Sequence, residues 1–123
     1  MIIGIGIDII EIKRLERWIN DPKLLKRYFH DDELQSAPDN KTSLTQTLAA
    51  RFAAKEAFGK ALGTGLAQIS LKDIMIKNNE NGKPEIRLFG SAQEAFGKSG
   101  AAKAHVSLSH EKENAIALII LED

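Results

Sequence analysis

Cysteine is absent from all 123 residues. The chain therefore has no disulfide framework, no thiolate nucleophile and no sulfur ligand for zinc. Charge of one sign is missing too: 17 Lys and Arg balance 17 Asp and Glu, for a formal net charge of zero. This balance argues against nucleic acid or an anionic membrane as a partner held by bulk charge, and leaves local basic patches open. No hydrophobic run reaches membrane-spanning length, because Asp8 breaks the first one early. The N-terminus also lacks the basic region and small-residue cleavage site of a signal peptide, so the cytoplasm is the expected location. Two phosphate-binding patterns fail on a missing glycine. A Walker loop needs glycine five positions before its Gly-Lys pair, and here Ala54 precedes Gly59-Lys60 and Ala92 precedes Gly97-Lys98. Gly4 and Gly6 do not open a dinucleotide fingerprint, since the third glycine position holds Ile9.

What is present reads as one soluble domain spanning residues 1–123, with 43% hydrophobic and 28% charged residues. Its core is small, and oligomerisation would add buried area. Ile2 to Ile10 is β-branched and reads as a strand. Alternation puts Ile3, Ile5, Ile7 and Ile9 on one face, expected in the core. Gly4, Gly6 and Asp8 share the other, where bare backbone would admit a ligand or another chain segment. Residues 11–20 read as a helix with an Ile12, Leu15, Ile19 stripe, and Asp21-Pro22 caps the next one. A helical turn follows at 30–34, and residues 36–42 form a loop. The main helix covers 45–62 and stops at Gly63-Thr64-Gly65. Strands at 71–77 and 85–89 form a hairpin. A short helix at 91–98 carries a Ser91–Glu94 capping box. Strands at 105–109 and 115–121 form a second hairpin. This order predicts an α+β fold, a mostly antiparallel sheet packed with helices.

Three places carry candidate chemistry. Asp8 lies in an isoleucine-rich strand, where an unpaired buried charge costs several kcal/mol. It must face water, pair with a cation or bind a metal. Residues 51–65, RFAAKEAFGKALGTG, place Glu56 among Arg51, Lys55 and Lys60 and end in a glycine turn. Phe52, Glu56 and Lys60 form one i, i+4 row, with Arg51 and Lys55 in the next. The stretch is either a solvated helix face or a site for a metal-bound phosphate ester. Two oxygen ligands suit magnesium, which keeps waters and shares its shell with substrate phosphates. The strand HVSLSH, 105–110, puts His105, Ser107 and Ser109 on one face. It is either a polar edge or a hydroxyl and imidazole wall for phosphate. A serine hydrolase lacks its G-x-S-x-G elbow here. Lys13, Arg14, Arg17 and Trp18 make a basic, aromatic surface that reads as either a solvated face or a docking patch.

Four segments together resemble the holo-acyl-carrier-protein synthases, the small 4′-phosphopantetheinyl transferases. They are GIGIDIIEIKR at 4–14, RFAAKEAFGKALGTG at 51–65, NGKP at 81–84 and HVSLSH at 105–110. The resemblance implies transfer of the 4′-phosphopantetheine arm of coenzyme A to a serine of apo-acyl carrier protein, in support of fatty acid biosynthesis. By the same likeness Asp8 and Glu56 correspond to magnesium ligands. Lys60, His105, Arg51, Lys55, Ser107 and the turn Gly63, Thr64 and Gly65 correspond to the coenzyme A site, with Glu56, Lys60 and His105 as catalytic candidates. Arg14, with Arg17 and Trp18 beside it, corresponds to the carrier-protein docking helix. The family also implies a homotrimer with active sites between subunits. Competing readings are a non-catalytic coenzyme A or nucleotide-binding module of the same fold and a metal-dependent phosphoesterase.

Overall fold

The β-branched opening forms strand β1, Ile2–Glu11, in a computed structural model that describes residues 1–123. Three short helices follow: α1, Lys13–Glu16; α2, Pro22–Tyr28; and α3, Asp31–Gln35. The long helix α4, Lys41–Leu62, comes next. The hairpin β2, Ile74–Asn78, and β3, Pro84–Leu88, leads into α5, Gly90–Lys98. The hairpin β4, Lys103–His110, and β5, Asn114–Glu122, completes the chain. The antiparallel α+β expectation holds. The main sheet has the order β1-β5-β4, and β2-β3 forms a separate two-stranded ribbon. No helix is long and apolar enough to cross a membrane.

Packing of β1 on α4 overturns one expectation. The two faces of β1 divide as alternation requires, but the isoleucine face is not the core. Ile5 is 58% exposed and Ile9 63% exposed, with Ile3 and Ile7 also open. The glycine face is the one against the helix. An ideal Cβ on Gly4 would lie 1.9 Å from the Ala61 carbonyl oxygen, and one on Gly6 would lie 1.9 Å from that of Ala57. The reason is the composition of α4: its buried side includes Ala49, Ala53, Ala54, Ala57 and Ala61. Small residues on both partners let the two backbones come closer than any isoleucine face would allow. The chain segment that bare backbone was expected to admit is α4 itself. Across the sheet, the same buried face continues through Ala115, Ala117, Ile119 and Leu121 of β5.

Local corrections have identifiable causes. The helix expected over 11–20 shrinks to α1 and a 3-10 turn at Trp18–Asn20. Ile12 N–H still donates to Glu113 O at 2.8 Å, which ties the chain to the sheet for one residue past β1. Helix α4 begins four positions before Thr45, because Asn40 Oδ1 caps it by accepting from Ser43 N–H at 3.1 Å. Ser91 does not cap α5. Its N–H and hydroxyl both donate to Asp73 Oδ2, at 3.0 and 2.7 Å, and Glu94 instead pairs with Lys98 at 3.2 Å. A reciprocal cap occurs at α3. There His30 Nδ1 accepts from Asp32 N–H at 3.0 Å, and Glu33 Oε1 accepts from His30 N–H at 2.9 Å.

Candidate active site

Close packing of β1 on α4 brings three charged groups together. Lys60 donates to Asp8 Oδ1 and to Ile7 O, both at 3.0 Å. Glu56 lies one turn before Lys60 on α4 and is half-buried. Its carboxyl is raised above the ordinary value, first by burial and then by the negative charge of Asp8. Lys60 and Arg14 oppose that shift, which places all four groups within one electrostatic neighbourhood. Asp8 is only 19% exposed and has Lys60 as its counter-ion. Two carboxylates that repel each other at the edge of a core favour a cation between them.

No group of three or more His, Cys, Asp or Glu side chains is placed so that it could hold a metal ion by itself. Asp8 and Glu56 therefore offer an incomplete, all-oxygen donor set. Such a set fits magnesium, which takes few protein ligands and completes its shell with water and phosphate. It does not fit zinc.

Arg51 and Lys55 do not join this cluster, and their expected place at the coenzyme A site is corrected. Both are buried on the other side of α4, and Lys55 has no exposed surface. Lys55 Nζ donates to Glu33 Oε1 at 2.7 Å, to Leu71 O at 2.9 Å and to Ile74 O. Arg51 donates to Glu33 O at 2.6 Å and to Ser36 Oγ at 3.4 Å. Burial pushes the Lys55 ammonium down to about 8, against the attraction of Glu33. Burial likewise lowers Arg51, with Glu33 opposing. A cation enclosed in this way does not reach a ligand. The motif thus divides between two sides of one helix: Glu56 and Lys60 toward β1, Arg51 and Lys55 toward Glu33.

At the C-terminal end of α4, Gly63 takes a left-handed φ of 81° and terminates the helix. A Cβ at Gly63 or Gly65 would meet nothing within 4 Å, so the turn is open on that side. A cleft of about 610 Å³ begins there, and Thr64, Gly65, Gln68, Ser91, Lys98 and Ser99 are among its walls. Thr64 and Gly65 were expected at such a site. Gln68, Lys98 and Ser99 were not, because nothing in the sequence shows that α5 folds back over the glycine turn. A second cleft, about 470 Å³, lies over the β2–β3 ribbon and includes Asn81 of the NGKP segment; the two share no lining residue.

His105 and Ser107 lie on the opposite face of the sheet from Asp8. Strand register forms the rows Ile5–Ile120–His105 and Ile7–Leu118–Ser107, whereas Asp8 pairs with Ala117 on the helix side. His105 Nε2 is 3.0 Å from Glu122 Oε1, a bond that holds the Glu122 carboxyl below its usual range. Within one chain these residues and the Asp8 cluster do not meet. Arg14 and Arg17 are exposed on and just after α1. Trp18 is half-buried, its ring 4.9 Å from that of Phe52 and 5.2 Å from that of Tyr28. It packs at the edge of the core.

Comparison with known proteins bears on this arrangement. A family profile described as the 4′-phosphopantetheinyl transferase superfamily matches residues 4–119. A holo-(acyl-carrier-protein) synthase of Treponema denticola is 53% identical over 122 residues, covering 99% of both chains. One from Treponema pallidum is 48% identical over 99% of this chain and 97% of its own. Among solved structures, a Bacillus anthracis holo-(acyl-carrier-protein) synthase in complex with CoA (3′,5′-ADP) superposes with a TM-score of 0.82 at 38% identity. It covers 99% of this chain and 97% of its own. The enzyme of Neisseria meningitidis gives a TM-score of 0.88 at 33% identity over 100% of both chains.

Proposed function

The chain belongs to the 4′-phosphopantetheinyl transferase superfamily, and from this we infer that it transfers 4′-phosphopantetheine from coenzyme A to a serine of apo-acyl carrier protein. Serine Oγ forms a bond to the phosphorus that bears the pantetheine arm. The bond from that phosphorus to the bridging oxygen breaks, and adenosine 3′,5′-bisphosphate departs with the electron pair. The hydroxyl proton leaves to a base. In this reading the modified carrier protein serves fatty acid synthesis, and the reaction is cytoplasmic.

The observation that carries this reading is the convergence of Asp8, Glu56 and Lys60 from positions 52 residues apart in the chain. A non-catalytic coenzyme A binder has no need to keep two repelling carboxylates and a mobile cation together, so that alternative is not favoured. A two-metal phosphoesterase needs a fuller ligand cluster than these two acids supply. Asp8 and Glu56 would hold magnesium. The ion, when bound, neutralises charge on the pyrophosphate. Lys60 is exposed enough to leave Asp8 and reach a phosphate oxygen. Glu56, directly or through a water, is our candidate to take the serine proton. Thr64, Gly65 and Lys98 offer the nucleotide an open turn and a second cation.

The exposed isoleucines of β1, with Ile116, Leu118 and Ile120 beside them, form an apolar sheet face that supports assembly as a homotrimer. In such an assembly His105 and Ser107 of one subunit would approach the site of another. Arg14 and Arg17 supply the positive surface for an acidic carrier protein. Arg14 lies near enough to influence Glu56, so docking there delivers the serine close to the acids.

The test is to mix the protein with coenzyme A, magnesium chloride and apo-acyl carrier protein and to weigh the carrier by mass spectrometry. The expected result is a carrier heavier by one phosphopantetheine. An unchanged carrier mass removes the transferase reading.

A further inference from the structure

Glu33 is the one acid with no exposed surface, and the reaction above does not use it. All of its oxygens are engaged. Oε1 accepts from His30 N–H at 2.9 Å and from Lys55 Nζ at 2.7 Å. Oε2 accepts from Ile76 N–H at 3.0 Å, and the backbone oxygen accepts from Arg51 Nη1 at 2.6 Å. One residue of α3 thereby binds α4 twice and β2 once. Lys55 extends the network to Leu71 O and Ile74 O. No buried side-chain nitrogen or oxygen in the molecule lacks a partner.

Stability alone explains this network poorly. A buried ion pair is often no better for stability than an apolar pair of equal volume. Hydrogen bonds do, however, fix direction, which apolar contacts between small side chains do not. The face of α4 toward β1 is alanine against glycine, so its rotation is set from elsewhere, by the buried Leu48, Phe52 and Phe58 and by the directional bonds of Arg51 and Lys55. The alanine–glycine contact sets how near the helix lies, and it offers few knobs to stop the helix turning about its axis. Lys55 and Arg51, four residues apart, lock the other side. Lys55 is also the immediate neighbour of Glu56. A side chain reaches roughly 6 Å from a helix axis, so a turn of about 20° carries its tip about 2 Å. A displacement of that order is enough to disable a reacting group.

We propose that Glu33 is a positioning residue: through Lys55 and Arg51 it fixes the rotation of α4 and so the place of Glu56 beside Asp8. This inference rests on the reading of Asp8 and Glu56 as the metal-binding pair.

The experiment measures Mn2+ binding by calorimetry in the absence of coenzyme A and carrier. Wild type is expected to bind, and Asp8→Asn to bind far more weakly. Absence of binding by wild type, or wild-type affinity in Asp8→Asn, overturns the metal reading and the positioning role with it. With that arm secure, Glu33→Gln is expected to bind Mn2+ about 10-fold more weakly, the usual effect of removing a group that orients a metal ligand. Its fold is checked by circular dichroism. Because Glu33→Gln leaves Lys55 buried without its partner, a second variant, Glu33→Leu with Lys55→Met, removes both charges; it strands the His30 and Ile76 N–H groups and the Leu71 and Ile74 carbonyls, so it is expected to melt below wild type while staying folded at the temperature of the titration. It too is expected to keep the about 10-fold loss of Mn2+ affinity. Wild-type Mn2+ affinity in either folded variant overturns the proposal and leaves Glu33 a purely structural residue.

Discussion

The ammonium of Lys60 lies 3.0 Å from the carboxylate of Asp8, on the flank of α4 that also carries Glu56. The pair gives Asp8 a tethered counter-ion in the free protein. More than half of the Lys60 side chain is exposed, so it has room to exchange Asp8 for a phosphate.

That exchange makes Lys60→Met informative. Removing the tethered cation frees Asp8, so Mn2+ is expected to bind at least as tightly as to wild type when coenzyme A is absent. Transfer is expected to fall about 100-fold, in the range seen when one donor to transition-state charge is lost. Calorimetry and the carrier mass assay check the two halves separately. Weaker Mn2+ binding would show that Lys60 does not compete for Asp8.

Acidity acts on the same cluster through Glu56. Its folded carboxyl is raised above 4.5 by burial and by Asp8. Any stability this shift contributes is fully present below 4.5 and is lost as pH rises through the folded value. Metal binding has the opposite sign, because the metal needs the deprotonated group. Mn2+ affinity is therefore expected to fall as pH drops, with an inflection above 4.5. A series of titrations between pH 4 and 8 (about the interval in which carboxylates and histidines titrate) locates it. An inflection at or below the ordinary glutamate value would show that burial and Asp8 together do not outweigh Lys60 and Arg14 at Glu56.

The glycine contact is testable by one methyl group. In Gly6→Ala the new Cβ would meet the Ala57 carbonyl oxygen at 1.9 Å and the Ala61 nitrogen at 2.7 Å. Backbone must move, and the expected cost is about 1–3 kcal/mol, typical of overpacking. Thermal melting measures it. Transfer activity is expected to fall further than the lost folded fraction explains, since α4 carries Glu56 and Lys60.

Assembly is tested on the open sheet face. Ile7→Asp places a charge in the row of Leu118 and Ser107 without touching the packing against α4. Light scattering after gel filtration is expected to show a trimer for wild type and a monomer for the variant, with circular dichroism unchanged. A wild-type monomer, or a variant that still assembles, would place the interface elsewhere.

Much of the architecture was legible in the sequence because its signals are periodic. Alternation along β1 identified its two faces, and the run from Thr45 to Leu62 read as helix to its glycine stop. Asp8 and Glu56 stood out as acids in unusual company. What alternation cannot supply is the partner. It separated Ile5 from Gly6 but did not say which would meet α4, and only the alanine content of α4 decides that. Arg51 and Lys55 looked like ligands because long cations read as exposed until an acid is found for them. That acid, Glu33, is 18 and 22 residues away, and its sole local sign was the turn beginning at His30. Ser91 looked like a helix cap until the fold delivered Asp73 to it.

Close stacking of Gly4 and Gly6 on α4 gives β1 something like a reading frame. One residue inserted between Gly6 and Asp8 would turn the carboxylate to the isoleucine side, out of reach of Glu56 and Lys60. Two inserted residues would restore the side but displace it by about 6–7 Å along the strand, roughly one turn of the helix. Neither parity nor distance tolerates a change of length there. Insertions and deletions in this family member should accumulate in its connecting loops and spare the three residues from Gly6 to Asp8.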